Sequence, residues 1–340
     1  MNAVGLATGI LLVRMLAAAE FLSPELERRV DHLLRTERFF DAERVISDQL
    51  RATPKWEKGH LILAQIYTQK AQYDAAERSA SAALRIRQSV DGLLLLAVAE
   101  MRLNRLNDAV SSLEQAARLQ PAHAEIYNVL GTVYTLGAWM LEAEKAFAQA
   151  VRLAPSNWEY RYAYGRTLFE LRRFEDALRE LSRAVELNTT SVKAWTALGQ
   201  AQERSEKNQD AENSYRKALE LCAGAECSWP LLQLGYRYES ESKMAQALPY
   251  YHKAVQARPN WALPHFHLGK TLAALNDLNA ARAEIETAIT LDSNKPDFHY
   301  QLAQIYRRLG ETEKSNAQFA RFRSLKQQEG TTAELGPPER

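Results

Sequence analysis

The sequence predicts an all-α protein, an array of antiparallel helix pairs stacked one on the next. Three observations predict it. Glycine and proline are scarce, 14 and 11 among 340 residues, so little interrupts a helix. A period of 34 residues links Gly131, Gly165 and Gly199, continues after two extra residues to Gly235, and then reaches Gly269. Three columns of small side chains keep the same phase along the chain, as two helices require wherever their backbones approach closely.

Residues 1–22 precede the array. Met1–Val13 carries no charge and holds Leu6, Ile10, Leu11, Leu12 and Val13; Arg14 and Met15–Ala19 follow before Glu20. An apolar stretch ending in Ala17-x-Ala19 reads as a secretory signal with a small-residue cleavage site. The alternative is a half-helix packed on the first unit. Nine units then fill 23–329, starting near Ser23, Glu57, Val90, Ala124, Trp158, Val192, Ser228, Ala262 and Pro296. Their eighth positions read Val30, Ala64, Ala97, Gly131, Gly165, Gly199, Gly235, Gly269 and Ala303. Their twentieth positions are Ala from Ala42 to Ala281, then Ser315; their twenty-seventh are Ala from Ala83 to Ala288, flanked by Gln49 and Phe322. Large apolar residues lie between the columns at helical spacing: Tyr127, Leu130, Tyr134 and Phe147 in the fourth unit, Leu231, Leu234, Tyr238 and Tyr251 in the seventh. Pro54, Pro121, Pro155 and Pro259 close units at the loop. The first and ninth units depart from the pattern, as terminal units with one neighbour do, and the helix near Asn316–Lys326 reads as a cap. From residue 330 to 340, with Gly336, Pro337 and Pro338, no helical period remains, and the segment reads as a disordered tail.

Ala124–Asn157 carries the pattern in full: Tyr127, Leu130-Gly131, Tyr134, Ala143, Phe147, Ala150 and Pro155. It resembles the tetratricopeptide repeat, and the resemblance covers about nine-tenths of the chain. It implies a right-handed superhelical solenoid of antiparallel helix pairs. It further implies a non-enzymatic scaffold that binds a peptide or partner segment on a concave face, lined by positions two, five, six, nine, twelve and thirteen of each first helix.

Those positions supply the candidate groove residues: Asn128, Tyr162, Arg166, Phe169, Gln200, Trp229, Tyr236, Phe266, Lys270 and Tyr300. Rings give rigid contact area, and cations between them meet carboxylates or ring faces. Leu61, Ile62, Leu94, Leu95, Val98 and Met101 occupy the same positions in the second and third units, either as an apolar lining or as helix packing. Two known family modes are absent. No adjacent pair of units carries the Lys, Asn, Asn, Lys, Arg set that clamps chaperone C-termini. No Asn stands at position six, where the O-linked N-acetylglucosamine transferase solenoid has its ladder. Trp139, in the turn of the fourth unit, either folds onto its own turn or forms an exposed contact.

Chemistry is not expected. The chain has no G-x-x-x-x-G-K-[ST] loop, H-E-x-x-H or G-x-S-x-G, so catalytic residues, cofactor and metal are all expected to be none. A formal net charge of +1, from 43 basic and 42 acidic residues, argues against nucleic acid as partner. Membrane contact is expected only if the N-terminal segment is retained as an anchor. Cys222 and Cys227 flank Ala-Gly-Ala-Glu at the one junction with two extra residues, and either close it as a disulfide or stand as two thiols. A signal and a disulfide together point to an exported or periplasmic protein; the alternative is a cytoplasmic one. Two further roles fit the same array: a regulatory or substrate-presenting subunit of an enzyme complex, and a structural tether in a cell-envelope assembly.

Overall fold

The computed structural model describes residues 24–334. The N-terminal segment, including the signal-like run, and residues 335–340 lie outside the described residues. The chain divides into two compact units, Met1–Leu187 and Asn188–Arg340. Among the described residues every α-helix belongs to a pair, and there is no strand.

In the first unit the pairs are α1 (Pro24–Arg35) with α2 (Phe39–Ala52), α3 (Glu57–Gln69) with α4 (Tyr73–Ile86), α5 (Val90–Arg102) with α6 (Leu106–Leu119), α7 (Ala124–Leu136) with α8 (Met140–Leu153), and α9 (Trp158–Glu170) with α10 (Phe174–Leu187). In the second they are α11 (Val192–Arg204) with α12 (Asn208–Leu221), α13 (Ser228–Ser240) with α14 (Met244–Ala257), α15 (Ala262–Ala274) with α16 (Leu278–Leu291), and α17 (Pro296–Arg308) with α18 (Thr312–Glu334). Within each unit the second helix of one pair packs on the first helix of the next. First helices also touch one another, α3 to α5 to α7 to α9 in the first unit, α11 to α13 and α15 to α17 in the second. The inner face of each unit is therefore built from first helices.

The small columns make this packing possible. A methyl added at Gly131 would lie 2.7 Å from the Phe147 ring of the paired helix, and one at Gly235 would lie 2.3 Å from the Tyr251 ring. Position eight is small because the large side chain at position twenty-four occupies that space. Ala143, Ala150, Ala247 and Ala254 are completely buried where α8 and α14 meet their partners.

Each turn within a pair uses one left-handed residue. Glu37, Ala71, Asn104, Ala138, Arg172, Glu206, Ser242 and Asn276 have φ between 55° and 70°, and Gly310 takes 78°. The next residue's N–H returns to the carbonyl five positions earlier, as Trp139 does to Tyr134 and Lys207 to Gln202, both at 2.8 Å. That bond satisfies a helix-end carbonyl in a Schellman turn. Turns between pairs are pinned from the fourth position of the following unit. His60 reaches the Pro54 carbonyl (3.0 Å), Tyr127 that of Pro121 (3.0 Å), Arg161 that of Pro155 (2.7 Å) and His265 that of Pro259 (2.9 Å). The loop prolines thus stop one helix and offer an acceptor that orients the next.

One feature corrects the sequence reading. Helix α18 runs to Glu334, so it continues past residue 329, where the array was expected to end and the tail to begin. No proline follows Thr312 before Pro337, and the single Gly330 costs a helix only about 1 kcal/mol. Pro249 sits inside α14 without ending it. It is exposed, while Ala247, Tyr251 and Ala254 hold the helix by its buried side.

Candidate functional site

In the first unit the apolar inner positions are core. Leu94, Leu95, Val98 and Met101 are 1–4% exposed, and Leu61 and Ile62 are also buried, so these six side chains form no accessible lining. First helices lie close enough here for each to fill the groove side of its neighbour. Asn128 is half-buried. Tyr162 is half-buried too, and burial pushes its hydroxyl pKa up. Arg166 bonds Glu170 at 3.2 Å and lies 5.8 Å from the centre of the Phe169 ring, which itself meets Phe174 edge-on at 5.5 Å. Trp139 folds over its own turn, meeting Tyr134 edge-on at 6.0 Å and covering Gly137.

The second unit holds the denser constellation. Tyr236, Phe266 and Lys270 gather around His267. The His267 ring lies 4.3 Å from Tyr236 and 4.9 Å from Phe266. Its Nδ1 faces a Glu239 carboxylate oxygen at 3.0 Å. Glu239 also accepts from Lys270 Nζ at 2.6 Å and from Tyr251 Oη at 2.5 Å. Burial alone would raise the Glu239 pKa; the bonds from His267, Lys270 and Tyr251 outweigh it and hold the carboxyl at about 2. Burial, and then the Glu239 charge, push the Tyr236 hydroxyl well above its usual range, so it stays protonated. The inner face between α13 and α15 is therefore a rigid, internally neutralised network. Lys270 already has its carboxylate, and its ammonium serves to position that carboxylate.

Aromatic pairs flank this network. Phe266 stacks on the buried Phe298 of α17 at 4.7 Å, which holds the Phe266 ring in place. Trp229 stacks on Trp261 at 5.2 Å and remains 40% exposed. Tyr300 packs on Phe319 and Phe322 of α18 at 5.8 and 5.3 Å and is 42% exposed. Gln200, on α11, is half-buried. Glu239, His267, Trp261 and Phe298 were not singled out in the sequence. Glu239 and His267 occupy inner positions twelve and six, so the position rule could have found them had polar pairs between adjacent units been sought.

His265 points away from this network. Its Nδ1 lies 2.6 Å from Glu284 and its Nε2 2.9 Å from the Pro259 carbonyl, and the Glu284 bond raises its pKa. No group of three or more His, Cys, Asp or Glu among the described residues could hold a metal ion. Cys222 and Cys227 are bonded, with Cα atoms 5.2 Å apart, across a short 3-10 turn at Gly224–Cys227 that leads directly into α13. No described helix is long and apolar enough to cross a membrane.

Comparison with known proteins follows this geometry. A family model described as tetratricopeptide repeat matches residues 94–138, 141–191 and 165–226, another of that description matches 124–157, and one described as TPR repeat matches 269–310. Among curated proteins, anaphase-promoting complex subunit 3 of Schizosaccharomyces pombe is 23% identical over 190 residues, 56% of this chain and 28% of that protein. Mouse protein O-mannosyl-transferase TMTC3 is 24% identical over 194 residues, 51% of this chain and 20% of that protein. The chain thus spans less than a third of the length of these relatives. Among solved structures, the hetero-tetramer Cut9-Hcn1 of the anaphase-promoting complex superposes with a TM-score of 0.60 at 14% identity, covering 82% of this chain and 55% of that one. A tetratricopeptide repeat protein from Parabacteroides merdae gives 0.59 at 18% identity, covering 73% and 98%. At these identities the likeness is one of fold.

Proposed function

Since the chain belongs to the tetratricopeptide repeat family, we propose that it is a non-enzymatic scaffold that holds an extended segment of a partner protein against the inner face of its second unit. The observation that carries this reading is the ring surface of Tyr236, Phe266 and Tyr300, set beside the Glu239–His267–Lys270–Tyr251 network. A hydrogen-bonded polar network fixes side-chain positions, so the rings need little ordering when a ligand arrives. The test is to pan a displayed random-peptide library on the full chain and measure the selected peptides against Phe266→Ala. Losing a central aromatic anchor costs about 2 kcal/mol, roughly thirtyfold in Kd. Peptides that bind the variant as tightly, with its thermal unfolding unchanged, would remove the inner face from the account.

The Cys222–Cys227 bond supports a second element of the reading, an exported protein working in an oxidising compartment. Intact mass of the protein from its native host should show a chain beginning near Glu20 with no free thiol. A full-length chain with two alkylatable thiols would place it in a reducing compartment.

A further inference from the structure

The inner face of α17 carries two adjacent cations and, among the described residues, no carboxylate partner for either. Other cations on or near the first helices of the unit are matched, Lys270 with Glu239, Arg237 with Glu241, Arg216 with Glu212 and Arg282 with Glu311, while Arg204 on α11 is a single exposed guanidinium. Arg307 and Arg308 are exposed, and among the described residues neither meets a carboxylate. Arg307 donates to the Gln304 side-chain oxygen. Arg308 donates from Nη1 to the Ala273 carbonyl at 2.7 Å and from Nη2 to Asn276 Oδ1 at 2.9 Å, which ties it to the C-terminal end of α15. These partners are neutral, so both guanidiniums keep their full charge and have N–H groups to spare. Gln304 Nε2 in turn donates to Tyr300 Oη at 2.9 Å, which leaves the Tyr300 O–H free to donate outward. Tyr300, Gln304 and Arg307 form one row at positions five, nine and twelve of α17, all on the inner face. The row and Arg308 thus offer a ring and a set of donors held in place, with no anion among them.

We infer that this row takes an acidic segment of the partner protein, with Asp or Glu carboxylates on Arg307, Arg308 and the Tyr300 hydroxyl and an apolar side chain on the Phe266 and Tyr300 rings. Charge complementarity selects the ligand: a site made only of donors requires acceptors, and two fixed forks suit carboxylates. A polynucleotide is a poorer match, because its continuous run of phosphates needs an extended basic track, whereas this row holds two cations on a chain with a formal net charge of only +1. The inference rests on the inner-face reading above and adds the chemistry of the ligand.

The experiment uses the full chain and a fluorescein-labelled peptide alternating Asp and Glu with Leu and Phe. Three comparison probes are the same peptide with Asn and Gln, a single-stranded oligothymidylate, and an anionic phospholipid vesicle. The acidic peptide should bind about tenfold or more tightly than its amide counterpart, and its affinity should fall as salt rises. Arg307→Gln, which removes a side chain bonded only to Gln304, should weaken it by a similar factor, and Arg308→Gln likewise; Arg204→Gln, on α11, should leave it unchanged. Equal binding of acidic and amide peptides, equal loss in all three variants, or preference for the oligonucleotide or vesicle would overturn the inference. If library-selected peptides lose affinity in Phe266→Ala but not in Arg307→Gln, the inner-face reading stands and this one falls.

Discussion

Gly131→Ala tests the packing rule that builds the array. The new methyl would lie 2.7 Å from three ring carbons of Phe147, where ordinary contact begins near 3.4 Å. Phe147 is 4% exposed, on a helix whose Ala143 and Ala150 are fully buried against the partner, so the ring has nowhere to retreat without parting the pair. Overpacking of this kind costs about 1–3 kcal/mol. Replacing glycine within a helix returns about 1 kcal/mol of propensity. The net expectation is a loss of about 0–2 kcal/mol, read as a lower urea midpoint for the first unit. Phe147→Leu makes room for the methyl, a combination the chain already uses where Ala97 stands at position eight and Leu113 at position twenty-four. The double variant should therefore be more stable than the sum of the two single changes predicts, by about 1 kcal/mol. A stabilising Gly131→Ala, or strict additivity, would refute the reasoning.

Three further outcomes follow from the same geometry. Glu206 holds a left-handed backbone at φ 61°, which costs a non-glycine residue about 1–2 kcal/mol, so Glu206→Gly should stabilise the second unit by about 0.5–1 kcal/mol after the extra freedom of the unfolded chain is counted, checked by urea unfolding. The raised pKa of His265 means that its bond to Glu284 contributes fully below the ordinary histidine value of about 6.5 and is lost as pH rises through the folded value; a stability–pH profile should fall across that window, and His265→Gln should flatten it. Cys222→Ser with Cys227→Ser should lower stability by about 2 kcal/mol, measured by denaturant unfolding without reductant, because the closed loop is short.

The repeat was legible because its determinants are local and periodic. The first helices of the second to ninth pairs begin at Glu57, Val90, Ala124, Trp158, Val192, Ser228, Ala262 and Pro296, the unit starts that the small columns define. The turn chemistry was not legible, because eight of the left-handed residues carry side chains and only Gly310 advertises its conformation. The inner face was legible in part. Position alone found Tyr236, Phe266 and Lys270. It missed Glu239, because its partners lie 12 to 31 residues away on other helices and no local pattern joins them. Position left Leu94 and Val98 open between lining and helix packing; first helices that touch each other bury them. The end of α18 escaped because loss of apolar period was taken as loss of helix, and a helix bound on one side by α17 can continue without a second apolar stripe.

Hydrogen exchange on the full chain with a library-selected peptide bound tests the central claim most directly. The account predicts slowed exchange in α13, α15 and α17, with α14, α16 and α18 little changed, and loss of that protection in Phe266→Ala. Protection confined to the second helices, or none in the second unit while the peptide is bound, would contradict it.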